Sequence, residues 1–85
     1  KKTFDRPYIL VIHCVDSDSE ERSLKLVEEM AGKVSLKSKT VTPGSIELNY
    51  EVRLRDGNTD FVNRLAEMDG VTSTVMVSYN GDYMG

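Results

Sequence analysis

The sequence predicts an α+β fold whose elements follow the order β-α-β-β-α-β. Two stretches with apolar residues at helical spacing end alike, at Glu29-Met30-Ala31-Gly32 and at Glu67-Met68-Asp69-Gly70, and a strand-like run follows each. Between them, residues 46–54 alternate strictly between apolar and polar side chains, as a strand with one buried face does. This order is the ferredoxin-like arrangement, in which right-handed crossovers place both helices on one face of a four-stranded antiparallel sheet, with strands one and three central.

The composition indicates one small domain, residues 1–85, that does not bind nucleic acid. Hydrophobic residues make up 39% and charged residues 29% of the chain, which is ordinary for a globular protein. The net charge of -3 argues against a nucleic-acid surface, which usually carries a basic excess. Cys14 is the only cysteine, so no intrachain disulfide forms, as expected in a reducing compartment. Because the chain starts at Lys1 without a methionine, we expect a domain excised from a longer protein.

The first strand, residues 8–15, is apolar on both faces, which predicts a central position in the sheet. Its alternation divides the side chains into two sets, and we expect the helix-facing set to be Leu10, Ile12 and Cys14. The other set is expected on the uncovered face of the sheet, beside Met76 of the last strand: Ile9, Val11 and His13. An exposed apolar strip of this kind is a candidate interaction patch.

The first helix is predicted to start near Ser17 or Asp18. Each of these residues is followed three positions later by a glutamate, which is the pattern of a capping box. The apolar stripe of this helix is predicted to be Leu24, Val27, Met30 and Ala31, and Gly32 is expected to end it in a left-handed conformation.

Residues 33–42 and 45–55 are predicted to form a hairpin, with the lysine-rich first arm at the edge of the sheet. A two-residue loop at Pro43-Gly44 would place Leu36 on the wrong face if alternation were unbroken, so we expect a loop of three residues. That register aligns Leu36 with Tyr50 or Val52. It also brings Lys37 or Lys39 opposite Glu51 or Glu47, a favourable cross-strand pairing.

The second half repeats the helix-to-strand pattern. Asn58 or Thr59 is predicted to cap a second helix that ends at Gly70, and both helices are expected to be 10 to 14 residues long. The apolar stripe of the second helix comprises Phe61, Val62, Leu65 and Met68. Residues 71–79 are the predicted last strand, and Asn80-Gly81 is a turn signal in the tail.

Catalytic chemistry is nearly absent from the sequence. His13 and Cys14 are the only candidates for a base and a nucleophile, and as neighbours on one strand they point to opposite faces. We therefore predict that the protein is not an enzyme.

Four carboxylates surround the start of the first helix: Asp16, Asp18, Glu20 and Glu21. Oxygen ligands suit calcium or magnesium, but the glycine turn and the spacing of a calcium loop are missing. Helix capping and compensation of the helix dipole account for the same residues. We predict neither a metal nor a cofactor here.

A second candidate is a basic strip for an anion or an acidic lipid headgroup, formed by Lys37, Lys39, Arg53 and Arg55. Glu47 and Glu51 lie among these residues, so a solvated face that neutralises itself is the favoured interpretation.

The layout resembles the ACT regulatory domains, with Asp16 at the acidic position of the first strand-helix junction. That resemblance implies a small-molecule site at the junction, formed by Asp16, Ser17, Asp18 and Ser19. It also implies dimerisation through sheet edges or faces.

Over its whole length the chain also resembles the C-terminal soluble domain of a family of bacterial membrane proteins of unassigned function. The resemblance rests on residues 8–12, on the alternation of residues 48–53 and above all on the ending at residues 77–83. It implies a cytoplasmic domain tethered to the inner face of the membrane by a preceding membrane region, and it implies no catalytic residues.

Two functions follow as hypotheses. The first is a non-enzymatic regulatory or oligomerisation domain, a homodimer whose contact is the uncovered sheet face with Ile9, Val11, His13 and Met76. The alternative is an ACT-like sensor of a small ligand at the first strand-helix junction.

Overall fold

The computed structural model describes residues 6–55 and 57–78, and the predicted order of elements is confirmed. The elements are β1 (Arg6–Cys14), α1 (Ser17–Met30), β2 (Lys33–Thr42), β3 (Ser45–Leu54), α2 (Phe61–Ala66) and β4 (Val71–Ser78). They form one antiparallel sheet in the order β2-β3-β1-β4, so β1 and β3 are central, as the sequence predicted. The predicted turn at Asn80-Gly81 lies outside the described residues.

The core lies between the sheet and the two helices. On β1 the inward set is Leu10, Ile12 and Cys14, as predicted, each no more than 1% exposed. Every second residue of β3 joins them: Ile46, Leu48, Tyr50, Val52 and Leu54. Burial away from water raises the pKa of Tyr50 to about 12, because the charged phenolate would lose its hydration. The opposite face of the sheet has no helix on it within the described part of the chain.

Helix α1 begins with a different cap from the one predicted. Asp16 is the N-cap, and its carboxylate accepts a hydrogen bond from the backbone N–H of Ser19 at 2.9 Å. The Ser19 side chain bonds back to the Asp16 backbone, so a serine completes the capping box in place of the expected glutamate. The buried residues of the helix are Ser19, Ser23, Leu26 and Val27. Met30, which the sequence places in the predicted apolar stripe, is 42% exposed.

The end of α1 also differs from the prediction. Ala31 adopts an extended conformation and leads directly into β2, and Gly32 does not have a positive φ. The Gly32 N–H donates to the carbonyl of Arg53 at 2.8 Å. The helix therefore ends where its backbone begins to bond to the sheet, and no left-handed residue is required at this end.

Helix α2 is only six residues long, which is shorter than the predicted 10 to 14. Its flanking turns are closed by backbone bonds between residues three apart, such as Val62 N–H to Thr59 at 3.0 Å and Met68 N–H to Leu65 at 3.1 Å. Turns with bonds between residues three apart therefore stand at both ends, where the prediction had placed further α-helix. The N-cap of α2 is Asp60, so the predicted cap at Asn58 or Thr59 is wrong, although Asn58 accepts a hydrogen bond from the N–H of Asp60 at 2.9 Å. Gly70 is left-handed with φ +88, as expected.

The β2–β3 hairpin has a two-residue loop, and the predicted three-residue loop is wrong. Thr42 pairs with Ser45 across Pro43-Gly44, and Leu36 still pairs with Tyr50, as expected. The two-residue loop and the pairing of Leu36 with Tyr50 are compatible because the register shifts between Leu36 and Ser38. A β-bulge there inserts one extra residue, Lys37, and so breaks the alternation on which the prediction of loop length rested.

The bulge also separates the two lysines. Lys37 lies near Glu51, with 3.8 Å between Nζ and Oε1, as expected. Lys39 pairs with Leu48 in the sheet and reaches Glu20 of α1 at 2.9 Å, so its predicted pairing with Glu47 or Glu51 is wrong.

The two halves of the chain meet where Gly70 lies against Ser19. The N–H of Val15 donates to the Gly70 carbonyl at 2.9 Å, and Arg22 Nη2 donates to the Asp69 carbonyl at 2.8 Å. A Cβ on Gly70 would stand 2.6 Å from the Cβ of Ser19, which is itself fully buried. Only glycine fits both this contact and this backbone conformation.

We predict that Gly70→Ala lowers the free energy of unfolding by about 3 kcal/mol, because it adds left-handed strain to a steric clash. Gly44→Ala is the matched control, since Gly44 has φ +76 with nothing within 4 Å of its Cβ position. The control should cost only about 1 kcal/mol. Urea unfolding followed by circular dichroism measures both, and equal losses would show that the Ser19 contact contributes nothing.

Candidate functional site

The uncovered face of the sheet carries an apolar block of four residues, Ile9, Val11, Val75 and Val77. Val11 lies opposite Val75 and Ile9 lies opposite Val77 in the β1–β4 register. Val75 is 48% and Val77 is 51% exposed, while the two β1 residues are partly covered. Two paired rows of branched apolar side chains therefore face away from the core on adjacent strands.

Met76 does not belong to this face, contrary to the prediction. It pairs with Leu10, whose side chain is buried, and it packs against the core from the helix side. Side chains alternate along a strand, so Met76 pointing inward places Val75 and Val77 outward. The two outward valines were not predicted because both parities of residues 71–77 carry apolar or β-branched residues: Val71, Val75 and Val77 in one, and Thr72, Thr74 and Met76 in the other.

A chain of polar side chains crosses all four strands beside the apolar block. His13 of β1 lies 2.9 Å from Ser73 of β4 through Nδ1 and 2.9 Å from Glu47 of β3 through Nε2. Asn49 Nδ2 donates to the second oxygen of Glu47 at 3.2 Å and to Ser38 of β2 at 3.0 Å. We call these five residues the polar chain.

The polar chain fixes the orientation of the imidazole. A carboxylate only accepts hydrogen bonds, so His13 Nε2 carries the proton that it donates to Glu47. In the neutral ring, Nδ1 then accepts from the hydroxyl of Ser73. His13 is thus held on both sides at the rim of the apolar block, on the outward face as predicted, while the Cys14 thiol is buried on the other face. The two side chains do not form a catalytic pair.

The first strand-helix junction uses its polar atoms internally. Asp16 Oδ1 is 2.7 Å from the Ser19 hydroxyl, and Ser19 is buried beneath Gly70. Arg22 Nε donates a hydrogen bond to the Asp18 carboxylate at 2.9 Å, and the same guanidinium donates through Nη2 to the Asp69 carbonyl. Of the four residues predicted as a ligand site, Ser17 and Asp18 are exposed on the helix surface, whereas Asp16 and Ser19 bond to each other.

Two pKa values at the junction are shifted. The hydrogen bonds from the Ser19 hydroxyl and backbone N–H lower the pKa of Asp16, because they favour the charged carboxylate. Burial raises the pKa of Cys14, and the hydrogen bond from Ser19 opposes that rise. Asp16 is thereby kept as a charged helix cap, and Cys14 as a protonated core side chain.

The acidic residues of α1 are distributed between structural contacts. Glu20 pairs with Lys39 and Asp18 with Arg22, so these two carboxylates form ion pairs and do not act as caps. Both lie in the first turn of the helix, where the predicted compensation of the helix dipole places them. Among residues 6–55 and 57–78, no group of three or more His, Cys, Asp or Glu side chains is arranged to hold a metal ion. Over the same residues, no helix is long and apolar enough to cross a membrane.

No protein-family model and no curated protein matches this chain. Among solved structures, it is similar to the solution structure of the C-terminal domain of the MgtC protein from Mycobacterium tuberculosis. That similarity has a TM-score of 0.68 and 12% sequence identity, and it covers 93% of this chain and 92% of the other. At this identity the likeness establishes the fold. The neighbour is a C-terminal domain, which is the position that the second sequence resemblance implies.

We predict that Asp16→Asn removes the part of the free energy of unfolding that depends on the ionised Asp16 carboxylate. The cap itself should remain, since asparagine caps helices as well as aspartate does. The folded pKa of Asp16 lies below its ordinary value of 3.8. Its stabilisation is therefore fully present above that value and is lost as the pH falls through the folded pKa. Urea unfolding from neutral pH down to about pH 2 should show a steeper loss for the wild-type chain than for the variant.

Asp60→Asn is the control for this experiment. Asp60 is the N-cap residue of α2, and its side chain makes no capping hydrogen bond. Its replacement should leave the acid limb of the stability curve close to that of the wild type. The account of Asp16 is wrong if Asp16→Asn and the wild-type chain lose stability in parallel below pH 3.8.

Proposed function

We propose that this chain is a non-enzymatic oligomerisation domain whose uncovered sheet face packs against a second copy. The observation that carries the proposal is the apolar block, which leaves half of Val75 and of Val77 in water on a face that no described element covers. Two sheets pack face to face about 10 Å apart when apolar side chains of this kind interdigitate. A second copy supplies the complementary surface, because the contact of a two-fold dimer is the same patch on both partners.

The charges around the block favour a particular two-fold axis. Glu47 and His13 lie at one end of the block, and Arg53 and Pro7 lie at the other end, in the register of β1 with β3. Consider a two-fold axis that lies midway between the two sheets and is perpendicular to the strands. It places each strand over the same strand of the second copy, running in the opposite direction. It therefore brings Glu47 of each copy over Arg53 of the other, so that opposite charges flank the apolar contact at both ends.

The size of the block indicates a reversible dimer. Complete burial of a valine or isoleucine side chain is worth about 1.5–3 kcal/mol, and the four residues of each copy are already partly covered. Association itself costs about 4–15 kcal/mol in lost freedom of motion. The free energy gained by burying these side chains and the free energy lost on association are of similar magnitude, so self-association should depend on concentration. In a longer chain, further contacts between the two copies would strengthen it by raising the local concentration of the domain.

We also propose that the domain is the cytoplasmic C-terminal part of a bacterial membrane protein, in which it has a regulatory role. The proposal is supported by the sequence resemblance at residues 8–12 and 48–53 and by the structural likeness to the C-terminal domain of MgtC. The amino-acid sequence encoded upstream of Lys1 tests it. Several apolar spans of roughly 20 residues would support a membrane tether, and a polar upstream sequence would contradict it.

The sensor hypothesis has less support from the geometry. Asp16 and Ser19 would have to break the capping box before they could bind a ligand. We therefore place oligomerisation first, and the ACT-like ligand site stays a prediction.

We predict that Val11→Glu abolishes self-association, because it places a charge in the centre of the contact. Val11 points away from the core, so the variant should keep its fold by circular dichroism. Sedimentation velocity over a range of concentrations should show a rising sedimentation coefficient for the wild-type chain and a constant, monomeric one for the variant.

Val41→Glu is the matched control, since Val41 is 61% exposed and lies on β2, outside the apolar block. It should associate as the wild type does. A wild-type chain that remains monomeric at all concentrations, or a Val41→Glu variant that is as strongly impaired as Val11→Glu, would count against the proposed contact.

A further inference from the structure

A basic groove of about 200 Å³ lies on the uncovered face between β2 and β3. It is lined by Lys33, Ser35, Lys37, Glu51 and Arg53. Three side chains are cationic and one is anionic, in a protein whose net charge is -3. The groove is thus a local concentration of positive charge on an acidic chain. Of the basic strip predicted from the sequence, Lys37 and Arg53 line the groove. Lys39 reaches Glu20 on the helix side, Arg55 is not among the lining residues, and Lys33 takes part instead.

Strand alternation and the β-bulge in β2 together decide which lysines line this groove. Lys33, Ser35 and Lys37 have the same parity, and Lys33 and Ser35 lie opposite Arg53 and Glu51, so ordinary alternation places all three on the uncovered face. The register shift between Leu36 and Ser38 leaves Lys37 unpaired in the ladder and reverses the parity of the residues that follow. Lys39 therefore pairs with Leu48 and reaches Glu20 on the helix side.

The arrangement of charges is unfavourable for folding alone. Lys33 lies directly opposite Arg53 in the β2–β3 register, and like charges in that position destabilise a sheet. Glu51 offsets the repulsion only in part, since it lies 3.8 Å from Lys37 Nζ and 3.4 Å from Arg53 Nη2. Strong charge-assisted hydrogen bonds are about 2.7–2.9 Å long, so both cations retain capacity for another anion.

We propose that the basic groove binds a phosphate group. The planar guanidinium of Arg53 matches two phosphate oxygens, and the amines of Lys33 and Lys37 supply point charges on either side. The hydroxyl of Ser35 is a further donor on the same wall. An excess of two positive charges over Glu51 suits a dianionic tetrahedral group better than a singly charged carboxylate. The phosphate can be free or part of a lipid headgroup, and the experiment separates these sources.

The proposal is independent of self-association, although both involve Arg53. A second copy places Glu47 near this arginine, so phosphate and the second copy compete for it. Binding is therefore measured in the wild-type chain and in the monomeric Val11→Glu chain. Binding in both would establish the groove whatever the oligomeric state, and a dimer without phosphate binding would leave the oligomerisation proposal intact.

The first measurement is titration of the ¹⁵N-labelled chain with inorganic phosphate at constant ionic strength. Saturable amide shifts are expected at the groove residues, with weaker shifts for acetate. Arg53→Ser should weaken phosphate binding about threefold or more, since it removes an exposed charged contact. Glu51→Gln should strengthen it by a similar factor, because it removes the one competing carboxylate. Lys25→Ser, on the exposed surface of α1, is the control and should leave the affinity unchanged.

The second measurement is sedimentation with phosphatidylcholine vesicles that either contain or lack phosphatidylglycerol. Binding that needs phosphatidylglycerol and Arg53, without saturable shifts from free phosphate, would identify a lipid headgroup as the ligand. Saturable shifts without vesicle binding would identify a soluble phosphate compound. The proposal is overturned if neither probe binds, or if Arg53→Ser and Lys25→Ser bind both probes as the wild type does.

Discussion

The contact between Gly70 and Ser19 is the constraint on which the rest of the structure depends. It joins the start of α1 to the turn before β4. On either side, the Val15 N–H donates to the Gly70 carbonyl and the Arg22 side chain donates to the Asp69 carbonyl. The Val15 N–H bond also holds the turn before β4 next to the end of β1, with which β4 pairs. A larger residue at position 70 would clash with Ser19 and destabilise this junction between the two halves. Right-handed crossovers place both helices on one face of the sheet, and the uncovered face follows from that topology.

That face has a regular division of chemistry. The apolar block occupies the β1–β4 side, the polar chain through His13 crosses at one end, and the basic groove lies on the β2–β3 side at the other end. None of these features is required by the core, which is complete on the helix side. The face is therefore where evolution could select for a second copy or an anion without disturbing the fold.

Much of the fold followed from local sequence, and the exceptions have identifiable causes. The order of the elements and the right-handed crossover rule were sufficient to predict that β1 and β3 are central, and the alternation of β1 divided its side chains into the two sets that the structure shows. The bulge at Lys37 could not be predicted, because it is an extra residue in a strand of ordinary composition. The parity of β4 was equally hidden, since Met76 and Val75 are both apolar and only pairing with β1 decides which one points inward. Ile9, Val11 and His13 accordingly lie on the uncovered face as predicted and Met76 does not, while their role in an interface stays a prediction.

The most direct test of the central claim is an isotope-filtered NOE experiment on an equal mixture of ¹³C-labelled and unlabelled chains. The account predicts intermolecular contacts among the methyl groups of the apolar block, Ile9, Val11, Val75 and Val77, together with their neighbours on the uncovered face. Intermolecular contacts that involve only helix residues such as Leu24 or Val62, or none at concentrations where the chain sediments as a dimer, would contradict it.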